Sequence, residues 1–120
     1  MRGALMEARS QNKDVLVTFG ANWCEDCRDL DKAMHGSSAS LIDPLFVVAK
    51  INVGNFDKNL DLAARYGNPI QKVIPAAVVV TPTEKVVYST GAGELANARR
   101  MGDSEIYDFF SKVVRAHRSR

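Results

Sequence analysis

The residues best suited to chemistry are Cys24 and Cys27, the only two cysteines in the chain. A pair at this spacing supports reversible dithiol–disulfide exchange. Three-residue spacing on a helix puts both side chains on one face, with Cβ atoms roughly 5–6 Å apart. A disulfide needs about 3.5–4.5 Å. A small adjustment at the loose start of a helix supplies the difference, so such a pair opens and closes without rebuilding the fold. The surrounding stretch, Phe19-Gly20-Ala21-Asn22-Trp23-Cys24-Glu25-Asp26-Cys27, lies where an apolar run gives way to a helical pattern. Cys24 therefore falls at the helix start. Unpaired N–H groups and the positive end of the macrodipole there favour a thiolate, and the thiolate is the attacking species. Cys27 lies one turn further in and is expected to be buried. That position suits a resolving thiol, which attacks the mixed disulfide formed through Cys24 and releases the reduced substrate.

The flanking elements must hold this junction in place. Val15 to Phe19 is a nearly continuous apolar run, the mark of a strand covered on both faces. A helical pattern follows and runs to about His35, where Gly36-Ser37-Ser38 ends it. Residues 2–11 form a helix before the first strand, broken by Asn12-Lys13-Asp14. Residues 40–44 read as a short helical turn or loop, and Leu45 to Val53 as a second strand. Asn59 is placed to cap a helix from Leu60 to Tyr66, which Gly67 stops. Ala76 to Val80 is a third strand. Thr81 to Glu84 makes a hairpin turn into a fourth strand, Lys85 to Ser89, and Gly91-Ala92-Gly93 breaks it. A last helix starts at Asp103 and has Ile106, Phe109, Phe110, Val113 and Val114 on its apolar face. Helices between strands one and two, and two and three, are the connections parallel pairs require. The expected fold class is α/β: a mixed sheet of about four strands with helices on both faces, built as one domain over residues 1–120.

Composition narrows the function classes. A net charge of +2 makes no case for nucleic acid. Arg115-Ala116-His117-Arg118-Ser119-Arg120 reads as a solvated tail on the last helix. No apolar run approaches the roughly 20 residues that span a membrane, and residues 1–12 lack the apolar region and cleavage site of a signal peptide. His35 and His117 lack the spacing that would complete a four-ligand zinc site with the cysteines; His35 reads as a charge at a helix C-terminus.

Several matches now fall in one order along the chain. They are Val-x-Phe-x-Ala-x-Trp-Cys-x-x-Cys at 17–27, Ala49-Lys50-Ile51-Asn52 on the second strand, Tyr66-Gly67 at a helix end, Ile74-Pro75 before the third strand and Gly91 after the fourth. In these the chain resembles the thioredoxin superfamily of thiol-disulfide oxidoreductases. Within it, the chain is similar to the C-terminal domain of the periplasmic disulfide reductase and to bacterial disulfide isomerases. The resemblance implies a thioredoxin fold, with Cys24 as nucleophile and Cys27 as resolving thiol. It implies that Trp23 packs beside the pair and helps form the substrate surface. It further implies that Pro75 follows Ile74 through a cis bond and lies against the pair, and that the Ile74 backbone pairs with an extended substrate segment by strand addition. Protein thiols and disulfides would be the substrates and a thiol would donate electrons. No cofactor, metal, nucleic acid or stable membrane insertion is implied, and the chain would act as a monomer. The implied compartment is periplasmic or membrane-facing in a bacterium, with the cytoplasm as the alternative.

Four positions depart from the family pattern. The family often has a buried acid where this chain has Thr18, so water or another group must help deprotonate Cys27. Lys50, which usually faces that acid, is left to lie near the thiols and favour the thiolate, or to snorkel from its strand. Glu25 and Asp26, between the cysteines, stabilise the helix start but oppose a neighbouring thiolate; the pair is therefore expected to be reducing rather than strongly oxidising. Residues 68–72 and 94–102 look inserted, and the first segment is expected beside the active site. Two other readings stand beside the enzyme: a metal-binding module, and a non-catalytic binding domain with a structural disulfide.

Overall fold

The computed structural model describes residues 1–67, 70, 74–90, 95 and 98–118. The elements are α1 (Arg2–Gln11), β1 (Asp14–Gly20), α2 (Glu25–His35), α3 (Ala39–Ile42), β2 (Phe46–Asn52), α4 (Leu60–Arg65), β3 (Ala76–Val80), β4 (Val86–Ser89), a 3-10 turn (Ala98–Arg100) and α5 (Asp103–Arg118). Gly91, residues 71–73, most of the first segment that looks inserted, and residues 94, 96 and 97 of the second lie outside the described residues; within the second, Ala98–Arg100 forms the 3-10 turn.

The sheet order is β2-β1-β3-β4. β1 runs parallel to β2 and antiparallel to β3, and β3 is antiparallel to β4. The expected parallel pairing of the second and third strands does not occur. β3 passes to the far side of β1 and runs the other way, so β2 and β3 flank β1 instead of touching. Among the described strands, only the α2–α3 connection is a parallel crossover.

Because β1 lies in the middle, both its faces need cover, and its alternate side chains feed two separate cores. Val15, Val17 and Phe19 join Val47, Ala49, Val78 and Val80 on one face, under Ala8 of α1, Ala63 of α4 and Tyr66. Leu16, Phe46, Ala77 and Val79 lie on the other, under Leu30 and Met34 of α2, Ile42 of α3, and Ile106, Phe110 and Val113 of α5. Helices thus cover both faces, as the apolar run of β1 requires.

Three local readings change in the structure. Asn59 precedes α4 in a left-handed conformation and makes no side-chain cap; its Nδ2 instead donates to the Asn52 carbonyl at 2.7 Å, tying the loop to the end of β2. The end of α5 is not a free tail. His117 Nε2 donates to Asp14 Oδ2 at 2.8 Å, and the ring stands edge-on to Phe46 at 5.0 Å. A contact across 103 residues of sequence is invisible to charge patterning. Tyr66, the residue after α4, is buried, with its hydroxyl donating to Glu84 Oε1 at 2.6 Å.

Glu84 links α4 to the β3–β4 hairpin, since Arg65 Nη1 also donates to it at 3.2 Å. The Tyr66 hydrogen bond, with the Arg65 guanidinium, holds the Glu84 carboxyl below the usual carboxylate range, while burial raises Tyr66. A folded value below the unfolded one means stability that is full above the unfolded carboxylate range and lost as pH falls through the folded value. Tyr66→Phe is expected to cost about 1.5 kcal/mol, the low end for a hydrogen bond to a charged group, because Glu84 is partly exposed. Glu84→Gln should flatten the acid side of the stability curve in urea titrations between pH 3 and 7; an unchanged acid slope would remove this role.

Candidate active site

The site begins where β1 ends. Ala21 turns the chain, and Cys24 N–H donates to its carbonyl at 3.2 Å. Cys24 then takes an extended conformation (φ −88°, ψ 110°) as the residue before α2, and its carbonyl accepts the Arg28 N–H at 3.1 Å. Its Sγ accepts the Cys27 N–H at 3.2 Å. A sulfur therefore occupies the place where Ser, Thr or Asp usually satisfies a first-turn donor. That contact and the helix dipole both strengthen if the sulfur carries negative charge. Both thiols are free.

Exposure is the reverse of the sequence expectation for Cys27. Cys24 is only 6 % exposed, packed in the apolar cluster with Ala21, Ile70 and Ile74. Cys27 is half-buried and opens on a cavity of about 150 Å³ that runs along β1 and β2 beside α2. Cys24 lies in the apolar cluster of the β1–α1–α4 face, while Cys27 opens on the cavity between α2 and the sheet. Cys27 lies flat on Gly20, where a Cβ would come within 3.0 Å of its Sγ. Burial pushes the Cys27 thiol up to about 12, with the hydrogen bond to Cys24 and the charges of Cys24 and Asp26 adding to the rise.

The other predicted residues fall as follows. Trp23 is 55 % exposed, and its Nε1 donates to the Gly54 carbonyl at 2.9 Å, which pins the indole across the β2–α4 loop. Phe56, also exposed, meets it at 6.3 Å from a left-handed backbone position (φ 63°), an uncommon place for a bulky residue. Ile74 and Pro75 are joined by a cis peptide; Ile74 packs in the Cys24 cluster, and Pro75 lines the cavity with Cys27. Glu25 and Asp26 occupy the first turn of α2. Lys50 lines the cavity, but its Nζ is bound to Asp31 Oδ2 at 3.1 Å, so a carboxylate on α2 faces the ammonium. Thr18 is the register partner of Lys50 on the adjacent strand and lines the same cavity.

Sequence reading passed over Asp31. Its signal was available: it follows Cys27 by four residues on a helix and so shares its face. Phe56 carried no such signal, because a loop has no period. Among the described residues, no three His, Cys, Asp or Glu side chains converge as metal ligands, and no helix is long and apolar enough to cross a membrane.

Residues 1–82 match the family described as Thioredoxin-like. The structure of disulphide isomerase from Xylella fastidiosa Temecula1 is 53 % identical, covers 93 % of this chain and 86 % of that one, and superposes with a TM-score of 0.89. A thioredoxin from Thermus thermophilus is 22 % identical over 94 % of this chain and 79 % of that one, with a TM-score of 0.64. The DsbH oxidoreductase is 19 % identical over 98 % and 81 %, with a TM-score of 0.68. At these last two identities the likeness is one of fold. None of the curated proteins matches the chain.

Proposed function

Because this chain belongs to the thioredoxin-like family of thiol-disulfide oxidoreductases, we propose that it reduces or rearranges disulfides in protein substrates through a mixed disulfide at Cys24. The observation that carries the reading is Cys24 Sγ standing as the cap of α2, on the Cys27 N–H. A thiolate at that position gains a donor and the dipole, and the second thiol stands one turn away to resolve the product. In the step that follows, the Cys27 thiolate attacks the Cys24 sulfur. The Cys24–Cys27 bond forms, the bond to the substrate sulfur breaks, and two electrons pass to the substrate. A thiol donor restores the dithiol.

Trp23, Ile74 and Pro75 supply the substrate surface in this reading. The exposed indole lies next to Cys24 in sequence, and the Ile74–Pro75 segment meets both thiols' surroundings. Glu25 and Asp26 add negative charge at the helix start and oppose the thiolate, which supports a reducing pair. We assign the working unit as a monomer with one domain, in a periplasmic or membrane-facing setting. The likeness to a protein titled a disulphide isomerase supports exchange on protein disulfides.

The deciding experiment equilibrates the pair in glutathione buffers, alkylates the free thiols and reads the oxidised fraction. A potential near about −270 to −230 mV marks a reductase, and one near about −180 to −120 mV an isomerase or oxidase. The 6 % exposure of Cys24 favours a second reading, a non-catalytic binding domain with a structural disulfide. Absence of a two-electron transition, together with failure to reduce insulin in the presence of dithiothreitol, would establish that reading instead.

A further inference from the structure

The structure assigns Asp31 a part in the exchange: its carboxylate, paired with Lys50, takes up the proton that Cys27 loses, by way of water in the cavity that all three residues line. The assignment rests on exchange at Cys24 and Cys27 as proposed above.

The geometry comes first. Cys27 and Asp31 are four residues apart on α2, so their Cβ atoms are roughly 5–6 Å apart on one face. That separation suits one bridging water, the reach a proton acceptor needs. Both side chains line the cavity of about 150 Å³, together with Thr18, Lys50 and Asn52. A water needs only about one probe sphere of space and two to four polar partners. The Thr18 hydroxyl, the Asp31 carboxylate, the Lys50 ammonium and the Asn52 amide provide them. Asp31 is held in place by Lys50 at 3.1 Å, and its side chain is 35 % exposed, so a proton received there passes on to solvent.

The chemistry calls for such a group. Cys27 is held as a thiol by burial and by its neighbour Cys24, yet it must become a thiolate to attack. Of the nearby acids on α2, Asp31 lines the cavity on which Cys27 opens, whereas Glu25 and Asp26 do not. The groups that face Asp31 are Lys50 from β2 and, from α2 itself, His35, with Nδ1 3.5 Å from Asp31 Oδ1, Arg28 and Cys27. Arg28 is turned toward the Asn22 carbonyl, to which its Nη1 donates at 3.3 Å. In the step, the Cys27 S–H bond breaks and its proton moves through water to the Asp31 carboxylate. The sulfur's electron pair forms the bond to Cys24, and the substrate sulfur leaves with the pair from the broken disulfide and is protonated from solvent. No other oxidant or reductant is needed.

The test separates the two steps. Reduced protein is mixed with a peptide disulfide, quenched in acid at successive times and read by intact mass. For Asp31→Asn, formation of the mixed disulfide at Cys24 is expected at the parent rate. Its resolution should be about tenfold slower at pH 7, below the usual range for general-base catalysis because solvent water competes. The deficit should shrink toward pH 10 as hydroxide replaces the carboxylate, and Asp31→Glu should restore most of the rate. A merely structural role would slow both steps together at every pH, and that result, or unchanged resolution, overturns the assignment. Should Asp31→Asn not fold, Lys50→Met reads the same step. Without Lys50 the carboxylate loses the 3.1 Å contact that holds it at the cavity, so resolution slows while the first step does not; resolution at the parent rate overturns the assignment. A parent protein that forms no mixed disulfide at all refutes the exchange reading, which is a different outcome.

Discussion

Cys24→Ser is expected to reduce insulin turnover to background, a loss of at least about three orders of magnitude, in line with the removal of nucleophiles elsewhere. The serine oxygen keeps the hydrogen bond from the Cys27 N–H, so α2 keeps its cap. What is lost is the sulfur, which is the only atom at that place able to form the mixed disulfide. Cys27→Ser should behave differently. The first step survives, because Cys24 and its cap are untouched, but nothing resolves the product. Protein with one substrate molecule bound to Cys24 should accumulate and be visible as a mass adduct that dithiothreitol removes. The two variants together separate roles that the sequence spacing alone leaves symmetric. An adduct on Cys27 in the Cys24→Ser protein, with activity retained above a tenth of the parent, would reverse the assignment. That outcome has a structural basis to be tested, since Cys27 is the more exposed thiol.

The largest stability loss is expected for Phe110→Ala. Phe110 is 1 % exposed and sits among Leu16, Val79, Ile106 and Val113, where α5 closes one face of the sheet. Its ring also meets Phe109 edge-on at 5.1 Å. Removing it forfeits the transfer free energy of the ring and leaves a cavity that α5 cannot fill without leaving the sheet. The cost is about 3–5 kcal/mol, against a total of about 5–15 kcal/mol for a domain. Urea unfolding should show a much lower midpoint with a similar slope. A loss under about 1.5 kcal/mol would mean that α5 is dispensable for the core. The potential of the cysteine pair should change little, because Phe110 does not line the cavity that holds Cys27.

What the chain determines by itself is local. Val15-Leu16-Val17-Thr18-Phe19 has no polar face, so β1 must be covered twice, and two separate cores follow. The Cys24–Cys27 spacing and the helical pattern beyond it put one sulfur at a helix start and the other one turn on. These features were legible because short-range sterics and hydrogen bonding act within a few residues. The tertiary structure decided the rest. It placed β3 beside β1 rather than beside β2, drew Cys24 inward while opening Cys27 to a cavity, and gave Lys50 a partner on α2. It also joined His117 to Asp14 across 103 residues. Each of these depends on which distant segments share a space. That is a property of how whole elements fill volume against one another, and no period or motif within one segment encodes it.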